Sequence, residues 1–288
     1  MSRILVTGAS GNVGKYVVEY ALKNGQQVTA AGTHPDTLTK MFGNNENVRV
    51  VPFDFMDEKT YAKALQDVQA VFIMRPPHLG NPADLYPFID TLKNSGKIKL
   101  ISFLSLIGIE HNPVPPHYKI EKYIEKSGVP YCHIRPSFFM QNLSGVHAFE
   151  IKHFNKIVVP VKKALTSFID AEDIGELIAK VLTNPAKHQN TAYAITGSEA
   201  IDYDQVADTL SEVLQRKISY ANLAPRLAKK YWITIRGLDK EYATVMGMLY
   251  MMTRLGTAKK VTDTFNVIMG KNPRSFATFV KKNAAAWQ

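Results

Sequence analysis

Short apolar runs alternate along the first half of the chain with stretches whose apolar residues recur every three or four positions. Arg3–Thr7 is rich in aliphatic residues and stops at Gly8, which predicts a strand. Val13, Val17, Val18, Ala21 and Leu22 then follow a helical period that ends at Asn24-Gly25. Further strands are predicted over Gln27–Ala31, Val48–Phe53, Ala70–Met74, Ile98–Leu104 and Pro130–Arg135, with helices over Ala83–Asn94 and His117–Lys126. Asp57 is placed to cap the helix after the third strand. Beyond Pro136 the pattern loosens, Ala192–Thr196 offers one more strand, and the chain from Asp202 onward is mostly helical. Strands that alternate with helices imply right-handed βαβ units. The expected fold is therefore α/β, a doubly wound parallel sheet, with a ligand crevice beyond the carboxyl ends of the strands.

The 288 residues, 45% apolar and 21% charged, exclude a disordered chain or a disulfide-stapled miniature. The longest near-continuous apolar stretch, Leu100–Ile109, is too short to span a bilayer, and the expectation is no membrane partner. A single cysteine, Cys132, and an N-terminus that runs straight into a strand point to a cytoplasmic protein. Cys132 lies mid-strand and reads as an inert buried thiol. Residues 216–282 carry 14 basic side chains against Asp239, Glu241 and Asp263. That segment is either a solvated basic face or a surface for an anionic protein partner, and no nucleic-acid-binding signature accompanies it. Met246, Met248, Met251 and Met252 are clustered, as core, a subunit contact or the lining of an aromatic pocket.

The sharpest chemistry is Thr7-Gly8-Ala9-Ser10-Gly11-Asn12-Val13-Gly14, a glycine triplet at the first strand-to-helix junction. Gly8 allows the tight turn, Gly11 admits a pyrophosphate with no Cβ in its way, and Gly14 lets the helix approach the sheet. The helix N-terminus offers N–H groups and a positive dipole end to the phosphates. At the end of the second strand, where NAD sites usually carry a carboxylate, stand Thr33 and His34. This favours NADP(H), with NAD(H) as the alternative. Asp54 and Phe55 are expected beside the adenine, Asp54 serving equally well as a turn cap. Arg75, at the carboxyl end of the fourth strand, is either a contact to an anion or a solvated loop residue. Asp170 and Asp173 read as partners of a helix N-terminus.

Thr7–Gly14, Phe103–Gly108, Ile120–Tyr131, Ile134–Leu143, Ser167–Gly175, Tyr193–Gly197 and Gly270–Phe276 together resemble the NmrA-like family, an atypical branch of the short-chain dehydrogenase/reductases. The resemblance implies a Rossmann-like NAD(P)-binding domain over residues 1–140. A smaller, mostly helical substrate-capping region follows over 141–288, of which about 165–196 returns to the first domain. It implies that Gly8, Ser10, Gly11, Asn12, Val13 and Gly14 hold the diphosphate, that Thr33 and His34 face the adenosine ribose, and that Met74, Arg75 and Pro76 pass beside the cofactor. Ser105, Pro136 and Phe138 would then lie near the nicotinamide. Thr33 departs from the family, where an arginine commonly reads the 2′-phosphate.

Short-chain dehydrogenases use Tyr-x-x-x-Lys on a helix, and Tyr118 and Lys122 have that spacing. In family register, however, the lysine position is His117 and the tyrosine position Pro113. His117 and Ser105 are therefore the candidates for a catalytic role, His117 reading equally well as a solvated histidine at a helix start. The implied function is NAD(P)H-dependent reduction of a quinone-like or conjugated small molecule, apolar or aromatic. The alternative is a non-catalytic NAD(P) sensor that changes partners with cofactor occupancy. A sugar epimerase or dehydratase ranks below both, for want of the tyrosine.

Overall fold

The computed structural model describes residues 3–288, which divide into two compact units. Residues 3–136 and 171–195 form the first, and residues 137–170 and 196–288 the second.

The first unit is built on a seven-stranded, all-parallel sheet. Its elements begin with β1 (Arg3–Thr7), α1 (Gly14–Lys23), β2 (Gln27–Gly32), α2 (Pro35–Phe42), β3 (Val48–Pro52) and α3 (Tyr61–Ala64). They continue with β4 (Val68–Met74), α4 (Tyr86–Ser95), β5 (Leu100–Leu104), α5 (Pro116–Ser127) and β6 (Tyr131–Pro136). The helix Ala171–Thr183 and the strand Thr191–Ile195 complete it. From one edge the order runs Thr191–Ile195, β6, β5, β4, β1, β2, β3. The chain thus winds one way from β1 to β3 and the other way from β4 onward. The switch lies between β1 and β4, and that is where an open α/β sheet leaves its crevice. Ile4, Leu5 and Val6 of β1 and Val71, Phe72 and Ile73 of β4 are fully buried, as strands covered on both faces must be.

Two local features pin the switch point. The Thr7 hydroxyl donates to the Phe72 carbonyl at 3.0 Å and accepts the Met74 N–H at 3.1 Å, tying the end of β1 to the end of β4. Gly175 lets the helix Ala171–Thr183 press onto α1, since a Cβ there would lie 2.5 Å from Tyr16 Cβ and 3.0 Å from its carbonyl carbon. The predicted helix over Ala83–Asn94 is shorter than expected. Pro82–Leu85 forms a single 3₁₀ turn, with the Asn81 side chain accepting the Ala83 N–H, and the α-helix begins only at Tyr86. Asp57 caps as predicted, accepting the Lys59 N–H, although a 3₁₀ turn over Glu58–Thr60 precedes α3.

The second unit gathers helices around its own core, which includes Leu143, Ile151, Tyr203, Leu210, Trp232, Phe279 and Trp287. Three short strand pairings brace it, joining 138–139 with 168–169, 166–167 with 200–201, and 156–158 with 219–221. The carboxyl end of the chain is anchored: the Trp287 indole N–H donates to the Leu143 carbonyl at 2.8 Å, and Arg216 donates to the Trp287 carbonyl. Among the described residues, no helix is long and apolar enough to cross a membrane.

Candidate active site

The glycine loop leaves β1 at Gly8, whose φ of +60° lies in the left-handed region that glycine enters at no steric cost. The loop then closes on itself, with the Gly11 N–H donating to the Gly8 carbonyl at 2.9 Å. A Cβ on Gly14 would lie 2.2 Å from that same carbonyl oxygen. Gly14 is therefore demanded by the loop at the start of α1 rather than by the sheet, a different reason from the one the sequence suggests. Gly11 is nearly as tight, a Cβ there meeting the Gly8 carbonyl at 3.1 Å and the Met74 methyl at 3.4 Å. Met74 thus lies against the glycine turn, its methyl only 2.5 Å from where a Gly8 Cβ would stand. Ser10, Asn12 and Val13 occupy the stretch that leads into α1, where first-turn N–H groups have no partner within the helix.

Thr33 and His34 are exposed at the junction of β2 and α2, their side chains 2.9 Å apart through Thr33 Oγ1 and His34 Nδ1. The residues after β3 correct an expectation. Phe55 is only 5% exposed, packed edge-on against Phe53 and Phe88, so its ring faces are committed to the core. Asp54 adopts the turn-capping role, its carboxylate accepting the Met56 N–H at 2.9 Å. Arg75 is part-buried, and its Nε is buried without a partner among the described residues. Its Nη1 donates to the carbonyls of Pro76 and Leu79, bracing the loop that carries Pro76. Burial lowers its pKa.

On the other side of the switch point, the segment after β5 is laced to β6. The Ser105 N–H donates to the Ile134 carbonyl at 2.7 Å, and the Ile107 N–H to the Pro136 carbonyl at 3.1 Å. This holds Ser105 and Pro136 at adjoining strand ends. Ser105 is 2% exposed, and its Oγ is buried without a hydrogen-bond partner among the described residues. His117, in the first turn of α5, lies 6.0 Å from the Phe103 ring, and its Nδ1 is likewise buried and unpartnered. Burial, and secondarily the Arg75 charge, push its pKa down to about 4, so the ring is neutral at pH 7. His117 as a whole is half-buried at the start of α5. Phe138 belongs to the second unit, where its ring lies 6.1 Å from Tyr250. Lys122 donates to Glu125 at 2.7 Å, and its ammonium is 5.8 Å from the centre of the Tyr118 ring.

Sequence reasoning missed an ionic network on α5 and β6. Arg135 grips Glu121 through two nitrogens, at 3.0 and 2.7 Å, and reaches Glu110 at 3.2 Å. Glu125 faces His133 at 3.5 Å as well as Lys122. The period was readable: Glu121 and Glu125 are one helical turn apart, and His133 and Arg135 share a strand face. Arg135 is thus ion-paired to Glu121 and Lys122 to Glu125, with His133 beside Glu125 as a neutral ring. Cys132 is buried, and its thiol pKa is pushed up to about 12 by that burial, as expected of an inert group.

A parallel sheet wound both ways from a glycine turn, with Cβ-free backbone at the helix start, defines a Rossmann-like fold of the dinucleotide-binding kind. The pattern of the NmrA-like family matches residues 1–274, and the chain belongs to that family. It is 33% identical over 284 residues to Prestalk A differentiation protein A of Dictyostelium discoideum, covering 97% of this chain and 91% of that protein. It is 28% identical over 287 residues to an NAD(P)H azoreductase of Xenophilus azovorans, covering 99% of each. An NADPH-dependent quinone oxidoreductase from Escherichia coli, crystallised with NADPH, shares the fold with a TM-score of 0.86 at 22% identity, over 97% of this chain and 99% of that one.

Proposed function

We propose that this protein is an NADPH-dependent reductase of quinone-like or other conjugated, aromatic acceptors. The observation that carries the reading is two buried polar atoms of the first unit that have no partner among the described residues, Ser105 Oγ just past β5 and His117 Nδ1 in the first turn of α5. Buried polar atoms without partners are costly, and a ligand that satisfies them removes that cost. The glycine loop fits a diphosphate: Gly8, Gly11 and Gly14 keep side chains away, and Ser10, Asn12 and Val13 bring backbone N–H groups to the helix N-terminus. Bound there, NADPH supplies a hydride from its dihydronicotinamide ring. Thr33 and His34 present no carboxylate to repel a 2′-phosphate, which supports NADPH at least as strongly as NADH.

Neutral His117 and Ser105 donate hydrogen bonds and carry no acidic proton of their own near pH 7. That suits an acceptor whose reduced oxygen is phenolate-like, with a conjugate-acid pKa of about 10, rather than a strongly basic alkoxide. Lys122 is held by Glu125, which supports the register argument that Tyr118 and Lys122 are not a working dyad. The quinone oxidoreductase neighbour is consistent with this substrate class, and the azoreductase relative with a conjugated, aromatic acceptor more broadly.

Two linked measurements test the reading. Fluorescence titration is expected to give NADPH binding at least as tight as NADH, lost in Gly11→Val while circular dichroism stays unchanged. Steady NADPH oxidation, saturating in a quinone acceptor, is the expected second result. Binding without turnover across quinones, enones and azo compounds would instead favour the sensor.

A further inference from the structure

The helix Lys240–Arg254 belongs to the second unit and has two apolar faces. Ala243, Met246 and Tyr250 are buried in the core. On the rest of its circumference Tyr242, Val245, Met248, Leu249, Met251 and Met252 are 40–58% exposed, and Leu255, just past its end, is 71% exposed. Not one charged residue lies between Glu241 and Arg254. Tyr242, Val245, Leu249 and Met252 recur at i, i+3, i+7 and i+10, which makes them one continuous stripe. In the adjoining sequence Leu227 and Ile235 are 57% and 66% exposed. A protein surface seldom carries so extended an apolar stripe without a partner.

The flanking charge selects that partner. Residues 226–260 hold eight basic side chains against Asp239 and Glu241. Arg226, Lys230, Lys240, Lys259 and Lys260 are exposed. Asp239 is used up at the helix start, its carboxylate accepting the Glu241 and Tyr242 N–H groups. A second copy would bring these cations face to face with their own kind. An exposed apolar helix face flanked in sequence by exposed cations instead complements a bilayer that carries anionic headgroups: lysines suit phosphate and carboxylate, while methionine, leucine and tyrosine suit the headgroup–acyl boundary. We infer that the helix Lys240–Arg254 is a peripheral docking face for anionic membranes. This departs from the expectation of no membrane partner, which concerned spanning segments.

The test is sedimentation of the full-length protein with phosphatidylserine–phosphatidylcholine vesicles and with phosphatidylcholine vesicles alone. Binding is expected to the anionic vesicles only and to weaken as salt is raised. Lys259→Gln with Lys260→Gln is expected to weaken it by roughly 30-fold, the product of two lysine–headgroup attractions. Met248→Gln with Leu249→Gln is expected to abolish it. Both residues of that pair are exposed, so an unchanged melting curve will verify the fold. Absence of vesicle binding overturns the inference, as does binding indifferent to the Met248/Leu249 pair. A stable dimer in light scattering that the same pair dissociates also overturns it, because a second copy then covers the stripe.

Discussion

His133 and His147 are each 1% exposed, and burial pushes both pKa values down to about 3. In the unfolded chain both titrate near 6.5. Below pH 6.5 the unfolded state therefore takes up protons that the folded state refuses, so stability is complete above that pH and declines between 6.5 and about 3. At pH 5 the loss is about 2 kcal/mol for each histidine. Chemical denaturation at pH 7 and pH 5 should show it, and His133→Leu should flatten the difference by about one histidine's share. An unchanged pH slope in that variant contradicts the assignment. Neither histidine stands out in the sequence, because a lone imidazole carries no sign of its own burial. Gly8 and Gly11 were legible, since glycines at that spacing across a strand-to-helix junction suit a phosphate turn and little else. Phe55 misled because a ring after a strand end is equally suited to a ligand and to the core, and only the neighbouring Phe53 and Phe88 decide.

At the scale of elements, the six strands from Arg3 to Pro136 were readable because parallel strands buried on both faces appear as unbroken aliphatic runs. Helix starts were less so: prolines at Pro82 and Pro87 turn the first residues before α4 into a 3₁₀ turn that hydrophobic periodicity does not resolve. Close helix packing was invisible at Gly175, a glycine that sequence alone would count as a helix weakener. Gly175→Ala forces its Cβ into Tyr16, at an expected cost of about 1–3 kcal/mol. Gly247→Ala, in the helix Lys240–Arg254 with open space around its Cβ, should instead stabilise by about 0.5–1 kcal/mol. Urea midpoints of the two variants check the pair, and a neutral Gly175→Ala would show that the two helices separate easily.

At the scale of the whole molecule, the first unit carries the features legible from sequence: the winding order, the glycine turn and the strand ends that bear Ser105 and Pro136. The second unit was only outlined. Its core joins Leu143 to Trp287 across most of its length, and such distant contacts leave no local period to read. The same unit holds Phe138, the basic residues of 216–282 and the methionine-rich helix, the features whose roles the sequence left most open. The central claim is the proposal that His117 and Ser105, with Tyr118 and Lys122 not acting as a dyad, suit the site to acceptors that become phenolate-like on reduction. The direct measurement is the rate of NADPH oxidation by the wild type and by Tyr118→Phe, each with one quinone and one simple ketone. The account predicts quinone reduction far above ketone reduction and a Tyr118→Phe rate within about threefold of the wild type. A fall of 10²-fold or more in Tyr118→Phe, the size expected when a proton-transfer residue is removed, contradicts it and makes Tyr118 the acid of an ordinary tyrosine–lysine reductase.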